Sequence, residues 1–123
     1  MRDIESRADI ELIVNSFYNK VKTDELIGPV FASRIAEKDW PRHLERMYTF
    51  WTTILLNEPG YSGQPFEKHR ELPIDQAHFD RWVGLFKEIV EGLFTGPIAR
   101  EAIYRAELMG NLFMAKLQTI RSS

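Results

Sequence analysis

A chain of 123 residues with 44% hydrophobic content can bury one core without covalent staples. Its net charge of −2, with no cluster of lysines and arginines, argues against a nucleic-acid partner. The absence of cysteine excludes disulfides, zinc–thiolate sites, iron–sulfur clusters and haem attached through a Cys-x-x-Cys-His motif.

The longest uncharged stretch, residues 47–57, is too short to cross a bilayer, and residues 1–7 hold no apolar run of a signal peptide. Cytoplasmic residence without a membrane partner is expected. Apolar residues then recur at helical spacing. From Asp9, read as an N-cap, Ile10, Ile13, Val14, Phe17, Tyr18 and Val21 define a first long helix. Leu26, Ile27, Val30 and Phe31 surround Gly28-Pro29 and read as a turn or one to two helical turns. Asp39 is read as the cap of a second long helix, with Pro41 tolerated in its first turn. Its stripe is Trp40, His43, Leu44, Met47, Phe50, Trp51, Ile54 and Leu55, and Asn57 with Pro59-Gly60 stops it.

Residues 61–73 contain Gly63, Pro65 and Pro73 and read as mostly loop, with room for one helical turn around Lys68-His69. Asp75 can cap a third helix carrying His78, Trp82, Leu85, Phe86, Ile89 and Leu93 on one face. Gly96-Pro97 opens a fourth, with the stripe Ala102, Ala106, Met109, Phe113, Leu117 and Ile120. No run alternates with period two. The spacing predicts an all-α fold, with residues 1–123 forming one domain.

The histidines are the residues most suited to chemistry. Phe66 and Leu72 lie three residues either side of His69, so a helical turn places its imidazole among apolar neighbours, and Pro73 ends that turn. An imidazole so placed suits an axial iron ligand, although a lone loop histidine is more often a surface residue. His43 shares the apolar stripe with Met47 and Phe50. It reads either as a boundary histidine bonded to a carbonyl or as a polar group facing a ligand pocket. His78 reads as packing, or as an anchor for the start of the third helix. Tyr18 and Trp82 are amphipathic and, once buried, need partners for O–H and N–H. The plainer reading makes them core aromatics like Phe17, Phe31, Phe50, Trp51, Phe86 and Phe113, with Met47 and Met109 as gap fillers. No His-Glu-x-x-His, Gly-x-Ser-x-Gly or P-loop motif is present, and Glu67 and Glu71 flank His69 at spacings poor for a shared metal.

Taken in order, these residues resemble the truncated haemoglobins, specifically their third group. Tyr18 in Phe17-Tyr18 is similar to the family's distal tyrosine. Phe31 falls where the family places the aromatic that wedges the haem. His43 falls at the distal histidine of the third group, with Met47 one turn later. His69, in Lys-His-Arg-Glu-Leu-Pro-Ile, resembles the proximal iron ligand, and Trp82 the distal tryptophan. The paired glycine motifs of the other groups are missing. The resemblance implies a shortened globin fold, with two pairs of helices sandwiching a non-covalent haem b (iron protoporphyrin IX). It implies a cofactor-binding set of Phe31, His43, Arg46, Met47, Phe50, His69, Leu72, Trp82, Met109 and Phe113. Arg46, three residues past His43, reads either as reaching a propionate or as part of a solvated helix face, with Lys68 and Arg70 as weaker candidates. His69 would be the metal ligand, and Tyr18, His43 and Trp82 would line the distal ligand site.

It further implies binding of O2 and other small haem ligands such as CO, NO and cyanide, with a reductase as a partner. The job within the family stays open between oxygen transport, detoxification and peroxidase-like catalysis. Donors from Tyr18, Trp82 or His43 would each stabilise negative charge on a ligand by ~1.5–3 kcal/mol. That favours retention or redox reaction of the ligand over rapid delivery. The rival from another class is a histidine phosphotransfer module, or another haem-free helical signalling domain, suggested by size, acidity and the His43-Leu44 pair. A phosphorylatable histidine must be exposed, whereas His43 lies on an apolar stripe, and the rival leaves the His69 segment without a role.

Overall fold

The computed structural model describes residues 1–60 and 74–122. Five α-helices account for most of them: α1 (Arg7–Thr23), α2 (Gly28–Arg34), α3 (Trp40–Leu56), α4 (Gln76–Leu93) and α5 (Pro97–Ser122). A single 3₁₀ turn, Glu37–Asp39, leads into α3. Among the described residues there is no strand. The expected turn around His69, with Leu72, Lys68 and Arg70, lies outside the described residues.

α1 packs on α3 and α4 packs on α5, and the two pairs join because α1 also packs on α4 and α3 on α5. Ile10, Ile13, Val14, Phe17 and Val21 form the buried stripe of α1 and meet Trp51 of α3 and Leu85, Phe86 and Val90 of α4 in the main core. Burying each such side chain is worth roughly 1.5–3 kcal/mol. α5 approaches α4 on small residues. Ala99, Ala102 and Ala106 are buried, and a Cβ at Gly110 would stand 3.2 Å from Val83 Cγ2. A second, smaller cluster joins Ile74 and Phe79 to Met114 and Leu117 near the far end of α5.

Helix ends depart from the sequence reading in instructive ways. α1 begins after Ser6, and Asp9 is its third residue, not its N-cap. The Asp9 carboxylate instead accepts the backbone N–H of Glu5 at 2.9 Å and two bonds from the Arg2 guanidinium at 2.6 and 2.7 Å. Asp39 stands at the N-cap of α3 with no side-chain cap bond, because the 3₁₀ turn already holds it in helical conformation. Asn57, with φ of 58°, ends α3 in the left-handed region, and Pro41 sits in its first turn as expected. Asp75 does cap α4, accepting the Ala77 N–H at 3.0 Å.

Two stripes also shift. On α4, Phe79 and Val90 are buried and Leu93 is only half-buried; on α5, Met114 replaces Ile120, which is 40% exposed. Both helices touch more than one neighbour, so their buried faces are wider than a single stripe.

Residues 1–6 are structural, which their composition did not suggest. Ile4 is 1% exposed. Asp3 caps a helix almost a hundred residues away, its carboxylate accepting the N–H groups of Ile98 and Ala99, each at 2.9 Å. Thr95 N–H binds the Arg2 carbonyl at 3.0 Å. Gly96 has φ of 142°, and a Cβ there would lie 2.5 Å from Asp3 Cγ, so only glycine fits. Burial raises the Asp3 carboxyl, but the N–H groups of Ile98, Ala99 and Ile4 outweigh it and hold the group below its usual value.

Asp9 generates a pH prediction. The hydrogen bonds from Arg2, with the Glu5 N–H, hold its carboxyl at about 2 in place of 3.8. A depressed carboxylate stabilises the fold above its unfolded value and loses that contribution as pH falls through the folded one. Urea unfolding should therefore show a loss of stability between pH 4 and 2 that is smaller by about 1–2 kcal/mol in Asp9→Asn. Asp3→Ala should cost a further ~1 kcal/mol at neutral pH.

Candidate functional site

Between the two helix pairs lies a cavity of about 440 Å³, open to solvent on one side. α1 contributes Ile13, Val14, Phe17 and Tyr18 to its wall. The α2 region contributes Ile27, Val30, Phe31, Arg34 and Ile35, and α3 contributes His43, Arg46, Met47, Phe50 and Trp51. Ile74 leads into His78, Phe79, Trp82 and Phe86 of α4, and Met109 and Phe113 of α5 close the far side. The cavity explains why His43, Met47, Met109 and Phe113 are only half-buried although they lie on apolar stripes. Those stripes face open space in place of another helix.

The walls are mostly apolar, and the polar groups that enter are few. Tyr18 is 6% exposed, and burial pushes its phenol well above the ordinary range, so it carries its proton at neutral pH. Among the described residues its hydroxyl has no hydrogen-bond partner, and the same holds for the Trp82 indole. His43 stands edge-on to Tyr18, ring centroids 5.1 Å apart, with its Nε2 out of solvent contact. Trp40 packs edge-on against both, at 5.6 Å from each, beneath the Lys22 ammonium. Phe17 connects this group to the other side. Its ring lies 5.0 Å from Tyr18 and 5.8 Å from Trp82, and Trp82 stacks on Phe86 at 6.1 Å.

The structure thus brings nine sequence-predicted residues to one cavity: Tyr18, Phe31, His43, Arg46, Met47, Phe50, Trp82, Met109 and Phe113. His69 and Leu72 lie outside the described residues. Arg34 was not foreseen. It sits in the last turn of α2, a helix whose two turns match the longer of the lengths expected around Gly28-Pro29, and its side chain lines the cavity. His78 anchors α4 as expected. Its Nδ1 is 3.1 Å from the Asp75 N–H and 3.0 Å from Asp75 Oδ1. The neutral ring accepts the first bond and the protonated ring donates the second, so one tautomer makes only one of them. His78 also lines the cavity, a role that its capping spacing did not reveal.

The family model for the bacterial-like globins matches residues 3–115. Group 3 truncated hemoglobin ctb of Campylobacter jejuni is 30% identical over 115 residues, 91% of each chain. The crystal structure of the group III truncated hemoglobin from Campylobacter jejuni has a TM-score of 0.86 and 30% identity, covering 95% of both chains.

The chain belongs to the truncated haemoglobins, group III.

Group 1 truncated hemoglobin GlbN of Nostoc commune is 32% identical over a shorter stretch, 72 residues or 58% of each chain. The two helix pairs are therefore the two-over-two sandwich of this shortened globin, and membership implies a haem cofactor. The donor set of this truncated haemoglobin fits one. The cavity offers aromatic and aliphatic walls to a flat apolar ring, and the exposed residues Arg34 and Arg46 offer positive charge to its carboxylates. Tyr18, Trp82 and His43 are polar groups set into otherwise apolar surroundings.

The Tyr18 environment is testable by alkaline titration. A phenol whose folded value is raised binds its proton longer in the folded state, so stability declines as pH rises above about 10. One tyrosine should ionise only together with unfolding, followed by phenolate absorbance. Tyr18→Phe should lack that component.

Proposed function

We propose that this globin binds a non-covalent b-type haem through His69, and that Tyr18, His43 and Trp82 present hydrogen-bond donors to a small ligand held there. The observation that carries the reading is the convergence of these three side chains on one apolar cavity, with the Tyr18 and Trp82 donors lacking partners among the described residues. Donors that face an apolar cavity without a protein partner are available to a polar ligand.

When bound, the haem would supply an iron able to take a small ligand. The rest is work for the chain. Phe31, Met47, Phe50, Leu72, Met109 and Phe113 would exclude water and hold the ring, and Arg46 would pair with a propionate. Tyr18 keeps its proton and donates to a ligand that gains negative charge on binding, as O2 does. Trp82 can only donate, which suits the same role. Two aligned donors, each worth ~1.5–3 kcal/mol, slow release of such a ligand by roughly a hundredfold or more. The globin is thereby suited to retention or redox reaction of O2, NO or peroxide more than to simple transport, with a reductase supplying electrons in the cytoplasm. Residues 1–123 act as one domain in this reading. A histidine phosphotransfer role is disfavoured by His43, which is half-buried between Tyr18 and Trp40.

Purified protein titrated with haemin should show a saturable Soret band at one haem per chain, extractable by acid–organic solvent. His69→Ala should lose the proximal bond in ferrous CO spectra, whereas His43→Ala should retain haem and alter the distal side. Equal haem loss in both would overturn the ligand assignment. Tyr18→Phe and Trp82→Phe should each raise the O2 dissociation rate about tenfold while leaving CO nearly unchanged, measured by stopped flow.

A further inference from the structure

The turn between α1 and α2 holds a carboxylate almost wholly out of solvent. Asp24 is the C-cap residue of α1, and its side chain is 3% exposed. Its Oδ1 accepts the backbone N–H groups of Leu26 at 2.9 Å and Ile27 at 3.0 Å, which shapes the turn into α2. Its Oδ2 accepts the Nε–H of Arg81 at 2.6 Å. Arg81 lies on α4, immediately before Trp82. The pair therefore ties the end of the helix that carries Tyr18 to the helix that carries Trp82.

This tie differs in kind from the packing around it. Trp82 meets Phe86 on its own helix and Phe17 on α1, and the Phe17 contact resists separation of the two helices but constrains sliding along the α4 axis weakly. A charge-assisted hydrogen bond is directional and short, and it does resist sliding. Its acceptor is itself fixed, because the same carboxylate holds two backbone N–H groups of the turn. Exposed ion pairs generally add little stability. With Arg81 half-exposed, the main effect of this one is on register.

We propose that Asp24 and Arg81 are positioning residues that set where the Trp82 N–H stands relative to the Tyr18 hydroxyl across the cavity. They thereby set how strongly the pair holds a ligand that gains negative charge. This rests on the donor reading of Tyr18 and Trp82 given above. Hydrogen bonds weaken steeply with misalignment, so a small slide of α4 is felt at the ligand while the fold persists.

The test uses the haem-loaded protein and the variants Arg81→Ala, Arg81→Lys, Asp24→Asn, Trp82→Phe and the double variant Arg81→Ala/Trp82→Phe. Asp24→Asn keeps an oxygen for Leu26 and Ile27 while removing the charge, so the turn survives. Arg81→Ala and Asp24→Asn should raise the O2 dissociation rate about three- to tenfold and change CO dissociation less than about twofold. Arg81→Lys should return part of the effect. On the Trp82→Phe background, Arg81→Ala should add nothing. A second readout is the fluorine NMR spectrum of 5-fluorotryptophan-labelled protein in its diamagnetic ferrous CO form. The Trp82 resonance, identified by its loss in Trp82→Phe, should move in Arg81→Ala while those of Trp40 and Trp51 hold. An unmoved Trp82 resonance, a parallel change for CO, or an equal effect without Trp82 would each overturn the positioning role. If Trp82→Phe speeds O2 release and Arg81→Ala does not, the donor reading stands and the positioning role is wrong. If Trp82→Phe itself leaves O2 release unchanged, the donor reading fails and the positioning role falls with it.

Discussion

Protein interiors pack to crystal-like density, so a cavity of about 440 Å³ persists only where stiff walls hold helices apart. Here the walls are aromatic. Phe17 touches Tyr18, Trp82 and Phe86 through edge-on contacts, and Trp51 lies 4.8 Å from Phe86. Rings in edge-on contact cannot slide into the space as flexible aliphatic chains would. At roughly 24 cal/mol per Å³, an empty void of this size would cost on the order of 10 kcal/mol, comparable with the whole stability of a domain. Solvent entering the open side relieves part of that cost. The remainder makes the occupant of the cavity a component of the fold.

The same constraint explains how stability is distributed. With space reserved between the helix pairs, cohesion has to come from the periphery of that space. α5 is drawn against α4 on alanines and Gly110, where small side chains let the backbones approach. The N-terminal residues add a polar clasp. Asp3 caps α5 and Asp9 grips Arg2, joining the first residues, α1 and the start of α5. Asp24 does the same at the opposite end of α1, between the α2 turn and α4. Both ends of the helix that carries Tyr18 are thus held by carboxylates receiving several donors. The Tyr18 side of the cavity is consequently built on a helix anchored at both ends.

Electrostatics inside the cavity follows from its mostly apolar walls. An apolar wall makes an ionised phenolate costly, so Tyr18 remains a donor over the whole physiological range. The charged groups Arg34 and Arg46 stay at the exposed margin, where water still solvates them. A flat cofactor with an apolar body and anionic edges matches that division.

Much of this was legible in residue spacing. The helical period of Phe17, Tyr18, His43, Met47, Trp82 and Met109 is a property of local geometry, which a 3.6-residue repeat expresses directly, and the resemblance to the truncated haemoglobins rests on those positions in order. Whether a stripe faces a neighbouring helix or open space is decided by the crossing of α1 with α3 and α4, and no local pattern encodes it. That is why Met109 and Phe113 pass equally for core, and why Arg34 and the cavity face of His78 went unread. Long-range polar partners are hidden for the same reason. Asp3 with Ile98, Asp24 with Arg81 and Arg2 with Thr95 join residues far apart in the chain, and a carboxylate carries no mark of the distant N–H that it will accept. Local spacing was enough for the helices, most of their apolar residues and the resemblance to the family. Which faces enclose the cavity, and which charges lock its walls, came from the tertiary contacts, because both depend on how helices meet and not on how each one forms.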